Sequence, residues 1–270
     1  MSIRQYRPRN IAGRRGIRGR NLFLLILAIA SIALQISYPL VHGKLLQQVT
    51  IATVYCLAIT MLIHSFFAYG FRFAITLGFV VVIYAFTVEA IGVKTGWPFG
   101  TYTYDHSLGA QIFGVPLLVP FAWLMLSYPL LIAARRVSKN WVFIYGGIAL
   151  AAWDLFLDPQ MVSAGRWTWK VVGPHVPYAP EIPLSNTAGW LFAGMGLMAL
   201  LHAVLPKERK KGGVSTSIPD FFLAWTLFSG LVGNVFFFHR PGVGVFGALV
   251  FGAVLIPYFF SIGFGRPANL

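Results

Sequence analysis

The sequence is poor in charged residues and in cysteine. Only 10% of its 270 residues are Asp, Glu, Lys or Arg, and its single cysteine, Cys56, has no partner for a disulfide or a thiolate metal site. It has no P-loop, no GxGxxG segment after a strand, no HExxH motif and no set of His-rich boxes, since its six histidines are scattered. These absences argue against a soluble globular protein, a nucleotide-binding enzyme and a zinc or di-iron enzyme, so we expect no metal ion.

Long apolar stretches dominate what is present, since 57% of the residues are hydrophobic. A helix needs about 20 mainly apolar residues to cross a bilayer, and eight stretches approach that length. They are residues 22–41, 46–69, 72–92, 113–133, 141–158, 188–205, 219–239 and 242–263. The sequence therefore predicts an all-α polytopic membrane protein of about eight transmembrane helices. We expect a single transmembrane domain, residues 21–265, after a basic tail, residues 1–20.

The basic residues fall mostly on one side of the predicted bundle. With eight alternating spans, 16 of the 21 Lys and Arg residues lie on the side of the N-terminal tail. The positive-inside rule then predicts that both termini are cytoplasmic and that the protein lies in the plasma membrane. Five of the seven acidic residues lie at the other side. The tail is expected to contact anionic membrane lipids, not nucleic acid.

Three acidic residues lie inside apolar stretches, at their non-cytoplasmic ends. They are Glu89 in the third stretch and Asp154 and Asp158 in the fifth, where the spacing of four places both on one helix face. A carboxylate in hydrocarbon costs about 3 kcal/mol even on the milder scales, so it needs a partner or a task. Asp158 is predicted to end its helix, where the macrodipole disfavours an anion. The structural alternative is a polar network with Arg166 or Lys170 as counter-charge.

Aromatic residues crowd the segments beside these acids. They are Trp97, Phe99, Tyr102 and Tyr104 after the third stretch, Trp153 in the fifth, and Trp167 and Trp169 in the outer segment 159–187. Each fits a membrane-interface belt by itself, but together they predict a lined pocket. The outer segment is too rich in proline for regular structure and is expected to cap the bundle. Asn186 is either an N-cap or a site residue, and Asn234 lies level with the acids.

Such a site suits acid chemistry on an apolar substrate. Burial and mutual repulsion raise the pKa of one carboxyl in a cluster, which can then act as a general acid. Aromatic faces stabilise a carbocation. An alkene protonated in this way is captured either by water, which gives hydration, or by an internal double bond, which gives cyclisation.

Several motifs together resemble the CruF-type carotenoid 1,2-hydratases, integral membrane proteins like bisanhydrobacterioruberin hydratase. These motifs are Glu89 with Gly92, GWPFGTYTY at 96–104, AWDLFLDP at 152–159, Trp167-Thr168-Trp169, and the segment from Pro183 to Trp190. The resemblance covers about residues 75–260. It implies cofactor-free addition of water to the terminal double bond of an acyclic carotenoid end group, which yields a tertiary alcohol.

The resemblance also implies site residues and partners. It places Glu89, Asp154 and Asp158 at the reacting centre, and we expect Asp154 or Glu89 to donate the proton and Asp158 to position water. The residues expected to bind the polyene end are Trp97, Phe99, Tyr102, Tyr104, Trp153, Trp167, Trp169, Asn186 and Asn234. The expected partners are water, membrane lipids and a carotenoid of the lycopene, γ-carotene or bisanhydrobacterioruberin type.

Three other functions fit parts of the pattern. A carotenoid cyclase needs the same acid and the same aromatic wall. A proton-coupled transporter would use the carboxylates as a relay, but they gather at one face of the membrane and no inverted repeat is evident. A non-catalytic carotenoid or lipid binder explains the aromatic residues but not the buried carboxylates.

Overall fold

The computed structural model describes residues 11–207, 210–211 and 213–263, with side chains from residue 19 onward. Eight α-helices make up most of this part of the chain. They are α1 (Ile11–Ser37), α2 (Gly43–Tyr69), α3 (Phe71–Thr95), α4 (Val119–Val137), α5 (Val142–Ser163), α6 (Leu184–Val204), α7 (Ser217–Val232) and α8 (Pro241–Gly263). The all-α polytopic fold predicted from the apolar stretches is therefore confirmed.

The ends of the predicted transmembrane domain differ from the helix bounds. Helix α1 already begins at Ile11, so residues 11–20 of the predicted basic tail are helical. Residues 1–10 of that tail, and residues 264–265 at the other end of the predicted domain, lie outside the described residues.

Helix α4 is the exception among the helices. Within the described residues, the other seven are long and apolar enough to cross a membrane. Helix α4 is buried along almost its whole length, because it packs against α2, α3, α5 and α8 at the centre of the bundle. A helix that faces protein on all sides can carry polar and aromatic side chains, and α4 contains Trp123, Ser127 and Tyr128. Seven of the about eight predicted spans thus correspond to apolar helices, and α4 is a buried central helix.

Six short strands form three two-stranded antiparallel sheets beside the helix ends. Strand β1 (Thr101–Tyr104) pairs with β4 (Trp167–Lys170), β2 (Gln111–Ile112) with β3 (Val115–Pro116), and β5 (His175–Val176) with β6 (Ala179–Pro183). The expectation that segment 159–187 lacks regular structure was wrong. Of its prolines, Pro180 and Pro183 lie in a strand, β6, which has a free edge where a missing N–H breaks no ladder bond. The hairpin of β2 and β3 also replaces the first turns expected for the fourth stretch.

Two local features set where the site residues lie. Helix α3 ends because Gly96 takes a left-handed φ of 76° and its N–H bonds the Gly92 carbonyl. Helix α5 continues through Pro159 to Ser163. Asp158 therefore lies more than a turn inside α5, and the prediction that it ends the helix was wrong.

Candidate active site

Glu89 is buried near the end of α3 and accepts three hydrogen bonds. Tyr102 and Tyr104 donate to its Oε2 at 2.6 and 2.8 Å, and Trp123 Nε1 donates to Oε1 at 3.0 Å. The two tyrosines reach the same carboxylate because alternate side chains of β1 share one face. Trp123 comes from α4, so the carboxylate joins α3, α4 and the strand that follows α3.

The two tyrosines are fixed as hydrogen-bond donors. Burial and the nearby charge of Glu89 raise the pKa of the Tyr104 hydroxyl well above its usual range, and the charge of Asp158 adds to this. The same causes raise the pKa of Tyr102. Both hydroxyls therefore keep their protons at any physiological pH, and Glu89 always has two O–H groups facing it.

Asp154 and Asp158 form a second acidic group on one face of α5. Each is at most 3% exposed. The amide nitrogen Nδ2 of Asn186, in the first turn of α6, donates to Asp154 Oδ2 at 3.1 Å and also to Asp158 Oδ2. The other oxygen of Asp154, Oδ1, has no hydrogen-bond partner among the described residues. Asn186 is not the N-cap of α6, since that position belongs to Pro183.

No cation neutralises these acids in the described part of the chain. The salt bridge found there joins Arg240 and Glu181, away from the three carboxyls. Arg166 is buried, but its Nη1 donates to Ser107 Oγ at 2.8 Å. Lys170 is exposed to solvent. The counter-charges proposed for a purely structural network are therefore not paired with the acids.

Glu89 and Asp158 line one cavity of about 380 Å³, and Asp154 does not. The cavity lies where the C-terminal ends of α1, α3, α5 and α7 meet the N-terminal ends of α2, α4 and α6. Most of its lining is apolar, so a reactive carboxyl and a hydrocarbon can share it. Asp154 sits behind Asp158, bonded to the same amide.

Aromatic rings form much of the cavity wall. The predicted residues that line it are Phe99, Tyr102, Tyr104, Trp153, Trp167, Trp169 and Asn186. Tyr102 stacks on Trp169 with ring centroids 5.6 Å apart, and Tyr104 meets Trp167 edge-on at 5.5 Å. The pairing of β1 with β4 sets both contacts, because it places these residues directly opposite each other.

The structure does not bring Trp97 or Asn234 into the cavity lining. Trp97 is 69% exposed, because the turn after α3 points its ring outward. Asn234 is fully buried, but its Nδ2 donates to Gly230 O and its Cβ faces Gly244 of α8. For these two residues, the predicted role in binding the polyene end stays a prediction.

Two tryptophans at the centre of the site were missed. Trp123 holds Glu89, and its ring stacks on Trp190 of α6 with centroids 4.3 Å apart. Trp153 meets Trp190 edge-on at 5.9 Å. Both missed residues lie on helices far from Glu89 in sequence. Trp190 closes the segment quoted for the family resemblance, so a signal for it existed, but no local pattern marks Trp123.

One indole N–H group of the wall is free for a ligand. The Nε1 atom of Trp169 is buried and has no hydrogen-bond partner within the described residues, whereas the indole of Trp167 interacts with the Asp158 carboxyl. A buried donor without a partner costs roughly 1–3 kcal/mol, so water or a polar ligand is favoured beside it. In the same part of the chain, no group of three or more His, Cys, Asp and Glu residues is arranged to hold a metal ion.

The fold and the cavity define a class of protein: a polytopic helical membrane protein with buried carboxyls in an aromatic, apolar cavity at one end of its bundle. Residues 50–256 match the family model described as "Carotenoid biosynthesis protein". The chain belongs to this family, which confirms the family expected from the motifs.

One similar protein is the bisanhydrobacterioruberin hydratase of Haloarcula japonica. It is 34% identical over 122 residues, a match that covers 42% of this chain and 39% of the relative. The matched region thus spans less than half of either protein. No solved structure matches the chain.

Proposed function

We propose that the protein is a carotenoid hydratase. It adds water to the terminal double bond of an acyclic carotenoid end group and leaves a tertiary alcohol, the 1-hydroxy-1,2-dihydro end. The observation that carries this proposal is that Asp158 and Glu89, two carboxyls on different helices, face one aromatic and apolar cavity. Membership in a carotenoid biosynthesis family and similarity to a protein named as a hydratase support it.

Asp158 donates the proton in this proposal. Two buried carboxyls that bond one amide nitrogen do not both ionise, so the pair of Asp154 and Asp158 retains one proton. Only Asp158 lines the cavity, so it presents this proton to the substrate. Asp154 acts through Asp158 as a positioning residue. This assignment differs from the expectation that Asp154 or Glu89 is the donor.

Protonation of the terminal double bond creates a tertiary carbocation. The proton adds to the carbon that bears one hydrogen, and the positive charge forms on the carbon that bears two methyl groups. Aromatic faces stabilise such a cation by up to about 2 kcal/mol each when water is excluded. Trp123, Trp190 and Trp153 form a connected wall that can meet this charge.

Glu89 completes the addition as the base. Its three hydrogen bonds come from neutral donors, which do not cancel the charge that Glu89 carries as a base. A water molecule attacks the cation through its oxygen, and Glu89 takes the proton that the new alcohol must lose. The proton then returns to the Asp154 and Asp158 pair through water, so each turnover consumes one water and needs no cofactor. The enzyme is thus a cofactor-independent hydro-lyase, an enzyme class named for the removal of water, and it works in the direction of water addition.

We also propose an orientation in the membrane. Helix α4 runs from the cavity to the opposite end of the bundle, where Arg136 Nη2 bonds the Ser261 carbonyl near the end of α8 at 2.7 Å. Within the described residues, most Lys and Arg belong to the helix ends and loops of that opposite end. The positive-inside rule therefore places the cavity at the non-cytoplasmic side of the plasma membrane, with the basic tail, residues 1–20, in the cytoplasm and residues 21–265 as one transmembrane domain.

The proposal is tested in cells that accumulate lycopene. Expression of the protein should add the mass of one water per reacted end group, measured by chromatography and mass spectrometry of the pigments. Asp158→Asn should lower the hydration rate by about 10² to 10⁴, the usual contribution of a general acid. Asp105→Asn is the matched control, because Asp105 is exposed and its cap on Ser107 survives as an amide.

Other products would contradict hydration. A pigment of unchanged mass but altered absorption spectrum identifies a cyclase. Unchanged pigment with lycopene, γ-carotene and a bisanhydrobacterioruberin-type substrate leaves a transporter or a non-catalytic binder. Each result is interpreted with the amount of protein in the membrane measured in parallel.

A further inference from the structure

This inference rests on the proposed hydration reaction. The cavity is too small for the whole substrate of that reaction. At roughly 30 Å³ for each water-sized group, about 380 Å³ holds about a dozen such groups, which is a few isoprene units. A carotenoid is a rigid polyene about as long as the hydrocarbon core of a bilayer is thick, about 30 Å. Most of the polyene must therefore remain outside while one end reacts.

The lining shows where the cavity meets the outer surface of the bundle. Within the described part of the chain, four lining side chains are also exposed, and all four are apolar. They are Ile36 at 51%, Leu40 at 61%, Phe228 at 56% and Phe237 at 45% exposed. The first two belong to the end of α1 and the turn after it, and the last two to α7 and its continuation. The cavity thus opens laterally between α1 and α7, on a surface that suits lipid.

Helix α7 presents small residues to the cavity, and the ring of Phe156 packs closely against Gly230. Thr226, Ser229, Gly230 and Gly233 line the cavity at a spacing that places them on one helix face, and none has a large side chain. From Gly233 to Phe237 the helix widens into a π-turn, a feature that often marks functional sites. Trp225 and Gln35 bridge the two helices here, with Nε1 to Oε1 at 2.7 Å.

The acids belong to other helices than this opening. Glu89 is carried by α3, which packs on α2, α4 and α6, and Asp158 by α5, whereas the opening lies between α1 and α7. A chain that enters between α1 and α7 therefore passes the small face of α7 before its end meets the carboxyls.

We propose that the opening lined by Ile36, Leu40, Phe228 and Phe237 is a lipid portal, through which the acyclic end of the carotenoid enters while the polyene stays in the bilayer. The gap between α1 and α7 then sets which end groups reach the acids. A bulky or ring-closed end is held at the portal, and a slender acyclic end passes. The product leaves by the same route, with its new hydroxyl nearest the interface.

Cysteine protection in liposomes tests the portal. In a Cys56→Ala background, Phe228→Cys places a thiol at the portal, and Leu40→Cys places one on its other side. Leu249→Cys is the control, since Leu249 is 68% exposed on α8 and does not line the cavity. Labelling rates with a lipid-soluble maleimide are measured with and without lycopene.

The expected result is slower labelling at the portal alone. At a lycopene concentration ten times Kd, about one protein in eleven is unoccupied, so labelling of both portal thiols should slow about tenfold. Labelling of the control thiol should not change. Equal slowing at all three positions, or no slowing at Phe228→Cys, overturns the portal.

Hydration is measured separately on the same liposomes. Portal protection without hydration refutes the proposed function alone, and hydration without protection refutes the portal alone.

Discussion

The change Gly92→Ala disturbs Glu89 without touching any group that takes part in the proposed reaction. A Cβ at residue 92 would lie 2.6 Å from the Tyr102 hydroxyl. Ordinary contact needs about 3.5 Å, so the hydroxyl must retreat by almost 1 Å. Its hydrogen bond to Glu89 Oε2, now 2.6 Å, then leaves the usual O–H···O range, about 2.5–3.0 Å.

The size of the effect follows from this bond. A hydrogen bond to a charged group contributes about 1.5–3 kcal/mol, and about 1.4 kcal/mol in the barrier is tenfold in rate. We therefore expect Gly92→Ala to slow hydration about 10- to 100-fold. The matched control is Gly252→Ala on α8, because the atom nearest to a Cβ at residue 252 lies 3.7 Å away and no strain arises. That variant should keep its rate.

A double-mutant cycle isolates the cause. Tyr102→Phe removes the same bond and also the atom that clashes most with a Cβ at residue 92. The double variant Gly92→Ala with Tyr102→Phe should therefore be about as fast as Tyr102→Phe alone. Initial rates are measured in liposomes, with the amount of folded protein taken from size-exclusion profiles. Additive losses, or a wild-type rate for Gly92→Ala, would refute the proposed link between Tyr102 and Glu89.

Three further predictions follow from the same contacts. Asp154→Asn should reduce the hydration rate less than Asp158→Asn, because it leaves the Asp158 carboxyl in the cavity and removes only the second acid that helps to keep it protonated; equal losses would contradict the positioning role. Trp190→Ala should lower the free energy of unfolding by about 3–5 kcal/mol through the cavity it creates, measured by thermal unfolding in detergent. Hydrogen bonds from Ser107 lower the pKa of Asp105 in the folded protein. The stability that this carboxylate gives to the turn is therefore fully present above the pKa of Asp105 in the unfolded chain, and it is lost as the pH falls through the lower pKa of the folded protein. Exchange of the Ser107 amide hydrogen should show that dependence, and Asp105→Asn should abolish it.

The helices were largely predictable because a helix that crosses a membrane needs a long, mainly apolar stretch. Seven of the eight follow this rule within the described residues. Helix α4 obeys another constraint, since protein surrounds it and its side chains need only fit their neighbours. The short strands carried too little pattern to predict, because two to five residues do not establish a period.

The site divides in the same way between local and distant contacts. Tyr102 and Tyr104 were predictable beside Glu89 because only a short segment separates them from the end of α3 in sequence. Trp123 was not, since its contact with Glu89 depends on how α4 packs against α3. Trp97 was expected at the site from the aromatic cluster after α3, and Asn234 from its depth in the membrane. Neither observation fixes the direction in which a side chain points.

The way the acids are held bears on which chemistry is favoured. A buried carboxylate can be stabilised by a cation or by neutral donors, and here the donors to Glu89 are two hydroxyls and an indole. A cation would cancel the field of the carboxylate, whereas neutral donors leave it in place. At an effective dielectric constant near 20, a positive charge 4 Å away gains about 4 kcal/mol from such a group. A carbocation formed between Glu89 and the aspartate pair would gain this stabilisation at the moment of its formation, while a neutral carotenoid would gain none. A catalyst needs to stabilise the transient cation more than the neutral carotenoid, whereas a binding protein does not. The arrangement of the acids therefore favours an enzyme.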